Sequence, residues 1–451
     1  MKKSLSLLHH GVMSQPLNSK ANYFFQQGQQ LSKAKAYAAA IAQFDRALET
    51  QPDLYIGWYE RGKALYELGN YQAAIVSFKE VMVLRSDYAP AWNNQGMALA
   101  KLDRYNEAVA SYDRAIELYP KNYKAWYNRG NALMKLNSSQ EALHSYEETL
   151  NLKPDYARAW YNRGIVLTYL RHYDAAIVSY DKALEVRPHF SDAHYNQGNL
   201  FGRLGRFQDA LNSYDLVLQI KSNVPDVWIS QAHVQHKLGL DEQALQSYDT
   251  ALQLNPAAHE AWYNRGNTLE SLWRYEDAIE SYHRALQLKP DFPEALYNQG
   301  CALQRLGDSA QAVEYYDRAV ACKPDFYEAW SGRGVALRKL GRYEDAIESF
   351  DRSLAINPNC GECWYRRGRS LDHIGQSQAA VASYDKALSL NPFDKAWYSR
   401  GVALSRLEQH EEAIVSYDKA LALTPDFPNA QSGRSLSLKY LKQSQPSSDD
   451  L

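Results

Sequence analysis

The chain lacks most of what would announce a chemistry. Four of its 451 residues are Cys, at 301, 322, 360 and 363, too few for a disulfide framework and in keeping with a reducing compartment. Cys360 and Cys363 form one C-x-x-C without a second. A structural zinc site needs four ligands, so no metal is expected, and both Cys read as buried packing residues. Charge of one sign is missing too. Fifty Lys and Arg oppose 52 Asp and Glu, leaving −2, which argues against nucleic acid or an acidic membrane surface as partner.

Long apolar runs are absent. Nothing approaches the ~20 residues of a membrane span, so no direct membrane insertion is expected. At the start, two lysines precede only the short "LSLL" at 5–8, against the ~7–15 apolar residues of a secretory leader. A cytoplasmic location is the expectation. No G-x-S-x-G, Walker loop, G-x-G-x-x-G or H-E-x-x-H occurs, so no catalytic residue and no cofactor is assigned.

What the chain does have is a period. Trp58, Trp92, Trp126, Trp160, Trp228, Trp262, Trp330 and Trp364 are separated by 34 or 68 residues, with Trp397 one residue early. With Trp at position four of a unit, position eight is Gly in nearly every unit (Gly62, Gly130, Gly266) and position twenty is always Ala (Ala74, Ala142, Ala278). Position thirty-two is mostly Pro, as at Pro120 and Pro154. Each slot has a physical reading. Small residues at eight and twenty let two helices approach, the Gly at position eight facing the Ala at position twenty. Trp at four and an aromatic at twenty-four (Tyr112, Tyr146, Tyr180, Phe350) fill the surrounding space. Gly69, Gly205, Gly239 and Gly341 supply the left-handed turn between the helices, and the Pro ends the second helix. The 34 Tyr are then mostly architecture.

This pattern is identified as that of the tetratricopeptide repeat. Twelve tandem repeats fit residues 21–427, one of them, 361–393, with 33 residues. Residues 1–20 are expected to be flexible, 428–442 to be a polar capping helix, and 443–451 to be a disordered acidic tail. The expected fold is all-α: a right-handed α-solenoid superhelix of about twelve helical hairpins plus the cap, each hairpin covering its neighbour's apolar face. The array is similar to the repeat arm of the transferases that attach O-linked N-acetylglucosamine to Ser and Thr, without a catalytic domain. Such resemblance implies binding of peptides or protein segments along the first helix of each repeat.

In that helix, positions two, five, six, nine, twelve and thirteen share the face away from the second helix. Position six carries Asn94, Asn128, Asn162, Asn196, Asn264 and Asn298, interrupted by Ser230. Asn is an indifferent helix former, about 0.6 kcal/mol worse than Ala. Its amide offers donor and acceptor to an extended backbone, giving sequence-tolerant affinity, and the resembled transferases carry such a ladder. Inheritance from one duplicated unit explains the repetition equally simply. Position five adds Tyr127, Tyr161, Tyr195, Tyr263 and Tyr297, which either offer contact area or pack across repeat junctions, and position nine adds Asn131. Position two is acidic from Asp192 to Glu362, while position thirteen is mostly basic. The plainest expectation is a solvated face with the two edges paired.

Arg129, Arg163, Arg265, Arg333 and Arg367, at position seven, are expected to pair with acids at position twenty-five such as Asp113 and Asp351. The two-carboxylate clamp of some relatives is not expected, because position five never carries Lys. His233 and His236 are not expected to bind metal. Repeats six and seven, with Ile229, Ser230, Ala232 and Ser222 off pattern, read as a local irregularity. The functional expectation is a non-catalytic scaffold for a protein or peptide partner. A chaperone-like assembly factor for a multi-protein complex, or the non-catalytic arm of a multi-subunit enzyme, stays open.

Overall fold

Paired helices repeat along the whole described chain. The structure, a computed structural model, describes residues 18–444, so most of the expected flexible start and acidic tail lies outside it. Among the described residues there are 25 helices and no strand. In the unit beginning at residue 123, the A helix is Tyr123–Lys135 and the B helix is Ser139–Leu152. Neighbouring units repeat this, and a final helix, Pro428–Ser444, follows the last B helix. Two expected edges move slightly. The first helix starts at Ser19, where Asn18 accepts a hydrogen bond from the amide of Lys20 and caps it, and the last runs two residues past 442.

The chain divides into two compact units, Met1–Ile220 and Lys221–Leu451. The division falls at the irregular junction, where Ser222 replaces the usual Pro. Within each unit the core is a column of position-twenty alanines and position-twenty-four rings. Ala142 and Ala278 are fully buried, as are Tyr146, Tyr282 and Phe350.

Position eight adds a contact to the expected one. A Cβ built on Gly130 would lie 2.7 Å from Cε1 of Tyr146, with no atom of Ala142 as near. The Gly therefore makes room for the ring at twenty-four.

The A–B turn needs one left-handed residue. Gly69, Gly205, Gly239 and Gly341 provide it, but Asp103, Asn137, Arg171, Trp273 and Glu408 hold the same conformation with φ near +60°. At the far end of each hairpin, the residue before Pro is extended. Lys153 has φ −143° and ψ 82°, as a following Pro demands. The position-four Trp reaches back over that junction. The indole N–H of Trp126 donates to the carbonyl of Pro120 at 3.0 Å, and Trp262 does the same to Pro256 at 3.0 Å. In two units without the Trp, His194 keeps the bond to Pro188 and Gln431 keeps it to Pro425, whereas Leu296 has no N–H to offer.

Candidate peptide-binding face

The position-seven arginines do pair as expected, and they do more. Arg129 donates from Nε to Asp113 at 2.6 Å, on the B helix of the preceding repeat, and from Nη1 to Ser145 at 2.8 Å, on its own B helix. Arg265 repeats this with Asp249 at 2.7 Å and Ser281 at 2.7 Å, and Arg333, Arg367 and Arg400 have the same two partners in their own repeats. Each Ser in turn donates to a carbonyl one turn back, as Ser145 does to Glu141. One guanidinium thus fastens three helices. The guanidinium also lies over the position-four indole, 5.8 Å from its centroid in Arg265 and Trp262.

The partners vary along the chain, and Gln197 takes the place of Arg while still donating to Asp181 at 2.6 Å. Every Arg at seven faces an acid, including Glu147 opposite Arg163. Where position twenty-five is Lys79 or His283, the facing residue is Gln95 or Gln299. Gln299 also faces Tyr315 in place of Ser, and its Oε1 is buried without a partner. The sequence signalled the acid but not the Ser, which sits in an otherwise apolar helix stripe.

The asparagines at position six lie between repeats. Nδ2 of Asn162 donates to the hydroxyl of Tyr127 in the preceding repeat at 3.2 Å and to Oδ1 of Asn131 at 2.8 Å. Tyr146 donates its hydroxyl to the same Oδ1 at 2.8 Å. Four side chains from two repeats thus close one network. Asn298 rebuilds it with Tyr263 and Asn267, at 3.2 and 2.8 Å, and Tyr282 completes it. Asn196 donates to Tyr161, Asn94 to Tyr59, and Asn128 to Asn93. Asn264 follows Ile229 and has no hydroxyl to bond. Asn199 and Asn267, both bonded by position-twenty-four tyrosines, were not singled out from the sequence, although their position-nine spacing matches Asn131.

This arrangement narrows the ladder. All six asparagines are half-buried, and in five of them Nδ2 is already used inside the protein. Among the described residues, the oxygens of Asn128, Asn162, Asn196 and Asn298 accept no side-chain hydrogen bond. The position-five rings are packed rather than free. Tyr127 meets Tyr146 and Tyr156 with centroids 6.0 and 5.0 Å away, and Tyr161, Tyr263 and Tyr297 stand in the same kind of pair. Tyr195 meets Tyr214. Burial raises the hydroxyl pKa of Tyr161 to about 12, so it stays protonated while accepting from Asn196.

Two expectations are corrected. Cys360 and Cys363 are bonded to each other. Their Cα atoms are 5.3 Å apart because i and i+3 share a side of the first helical turn, within reach of a disulfide. Position-two acids and position-thirteen bases do not pair across the face. Among the described residues Glu362 pairs with Arg366 on its own helix, and Arg406 pairs with Asp372. The side chains at two and thirteen lie at opposite ends of a 13-residue helix, too far apart to meet. His236 bonds Asp241 at 2.6 Å across the A–B turn.

Comparison with known proteins agrees with this geometry. Family models described as tetratricopeptide repeat match residues 25–90, 89–122, 123–156, 157–190, 191–224, 259–292, 297–359, 361–394 and 395–427, and one described as TPR repeat matches 237–272. The chain belongs to the tetratricopeptide-repeat family. No curated protein matches it. Among solved structures, it is similar to YrrB, titled a TPR protein with an unusual peptide-binding site, at 24% identity and TM-score 0.40, over 42% of this chain and 98% of that one. It is similar to MamA at 23% identity and TM-score 0.36, over 38% and 94%. Yeast Tom70 matches at 14% identity and TM-score 0.37, over 87% and 96%. No described helix is long and apolar enough to cross a membrane.

Proposed function

We propose that the chain is a non-catalytic protein-interaction scaffold that binds an extended peptide or client segment along its A-helix face. The observation that carries this is the row of oriented amide oxygens at position six. At Asn128, Asn162, Asn196 and Asn298 the amide is fixed by a donor bond to the preceding repeat, and its oxygen accepts no side-chain hydrogen bond among the described residues. A backbone N–H of an extended segment is the natural donor to such a row, and main-chain pairing gives affinity with little dependence on sequence. The peptide-binding site named for YrrB and the family's usual partners support the same reading. Asn128, Asn162 and Asn196, with Asn131 beside them, form the main stretch, and Asn264 and Asn298 a second one. Asn94 lies at the edge of the first.

Replacing Asn128, Asn162 and Asn196 by Ala tests it. Partner profiles from affinity capture, read by mass spectrometry, should lose their main components while thermal unfolding confirms the fold. Tyr127→Phe is the control, since it removes the internal bond to Asn162 and keeps the amide oxygen. An unchanged profile in the triple variant counts against the reading. Capture lost above about 0.5 M salt but indifferent to the Asn substitutions favours a charge-guided client holder instead.

A further inference from the structure

The repeat at 327–360 has lost two rings that other repeats keep. In seven other repeats an aromatic at position five meets one at position thirty-four. The pairs Tyr59–Tyr88, Tyr127–Tyr156, Tyr161–Phe190, Tyr263–Phe292, Tyr297–Phe326, Tyr365–Phe393 and Tyr398–Phe427 have centroids 4.8–5.2 Å apart. Here the two positions are Ser331 and Cys360, and position six is Gly332. The repeats at 89–122 and 225–258 also lack both rings, but there Asn93 fills its place with amide bonds to Asn94 and Asn128, and Ile229 packs against the buried cluster around Tyr248.

The consequence is a cleft of about 450 Å³ on the A-helix face. Ser331, Gly332, Cys360 and Cys363 line it where the rings would stand, and Tyr297 and Tyr316 also line it. Its size suits a single large side chain. Its lining suits an aromatic one: sulfur atoms that favour ring contacts, tyrosines for edge-to-face packing, and Arg366 for a cation–π contact.

The charges around it are unbalanced. Arg305 and Lys339 line the cleft and take part in none of the ion pairs among the described residues, whereas Arg366 is held by Glu362. Arg338 lies one turn beyond Val335 of the cleft, and its Nε is buried with no partner. Burial, and after it the nearby Arg369 and Arg366, push its pKa down. Five cations, Arg305, Arg338, Lys339, Arg366 and Arg369, stand here against Glu328, Glu362 and Glu270, the last beside Arg305.

We propose that this cleft receives the ring of a Phe or Tyr in a bound segment whose neighbouring residues are Asp or Glu, the partner supplying the ring that the repeat omits. The assignment rests on the extended-segment reading above and specifies its ligand. The carboxylates would lie among Arg305, Arg338 and Lys339.

The probe is N-acetyl-Asp-Phe-Asp-amide, titrated by ligand-observed NMR against the full chain. Two references accompany it, N-acetyl-Asp-Ala-Asp-amide and N-acetyl-Lys-Phe-Lys-amide. The expected result is saturable binding of the first and at least tenfold weaker binding of both references. Ser331→Tyr with Cys360→Phe restores the residues other repeats carry, so the fold should hold, and binding should fall at least tenfold. Ser331→Tyr alone, which leaves the disulfide, should give a comparable loss. Failure of the first probe to bind the wild type, or equal binding to wild type and filled variants, overturns the proposal. So does equal binding of the Ala or Lys peptides. If the probe fails while Asn-dependent capture persists, the cleft is wrong and the scaffold reading stands. If the probe binds as expected while the Asn variants change nothing, the reverse holds.

Discussion

The three-helix clasp around Arg129 allows a quantitative test, because the chain itself has already varied both partners. Consider Asp113→Lys and Arg129→Gln, singly and together, which copies the Lys79–Gln95 pair of an earlier junction. Arg129 is 15% exposed and Asp113 45%, so the pair is screened and contributes about 1 kcal/mol rather than the 3 of a buried pair. Placing Lys opposite Arg129 loses that and adds repulsion of about 1–2 kcal/mol at ~5 Å and an intermediate dielectric. Asp113→Lys should then cost about 2–3 kcal/mol beside Arg129 but about 0.5 kcal/mol beside Gln, a coupling near 2 kcal/mol. Repeat arrays do not unfold as one unit, so a global melt blurs the effect. Hydrogen exchange of amides in Tyr105–Leu118, Tyr123–Lys135 and Ser139–Leu152 reads it locally, as a roughly 30-fold change in protection. In 1 M NaCl the coupling should shrink to a fraction of its low-salt value. Coupling below about 0.5 kcal/mol, or coupling indifferent to salt, would refute the clasp as an energetic element.

Three further outcomes follow from the same structure. Gly130→Ala sets a methyl 2.7 Å from Cε1 of Tyr146 and should cost about 1–2 kcal/mol despite better helix propensity, read from the urea midpoint. Arg171→Gly relieves an exposed left-handed residue at φ +63° and should raise stability by about 1 kcal/mol; a lower midpoint would contradict the strain. Glu270, where Tyr282 donates to it at 2.7 Å, has its pKa raised by burial, offset only in part by that bond and by Arg305. Its protonated form is favoured in the fold, so its contribution is full below the unfolded value of 4.5 and is lost as pH rises through the higher folded value. Glu270→Gln should therefore gain on the wild type as pH rises above 4.5, measured by urea unfolding at each pH.

How much of this was legible in advance differs slot by slot. Trp126, Gly130, Ala142 and Pro154 stand at a fixed spacing of strong physical types, and that spacing alone determined the hairpin, its period and the family. Charge on Arg129 and Asp113 was enough to anticipate their pairing, since a half-buried guanidinium needs an acceptor. Ser145 could not be foreseen as the third partner. A Ser in a helix usually bonds its own backbone, and only the crossing of two helices brought it to Arg129. The same holds for the amides. The sequence placed Asn162 on the A-helix face, but the junction with the preceding repeat decided that Tyr127 and Asn131 would hold its nitrogen and leave its oxygen open. Ser331 and Cys360, 29 residues apart, look unremarkable in the sequence. They become the floor of a cleft because the fold superimposes positions five and thirty-four, where neighbouring repeats stack two rings. Periodicity is a property of one strand of text, whereas an absence of volume exists only where two distant segments meet.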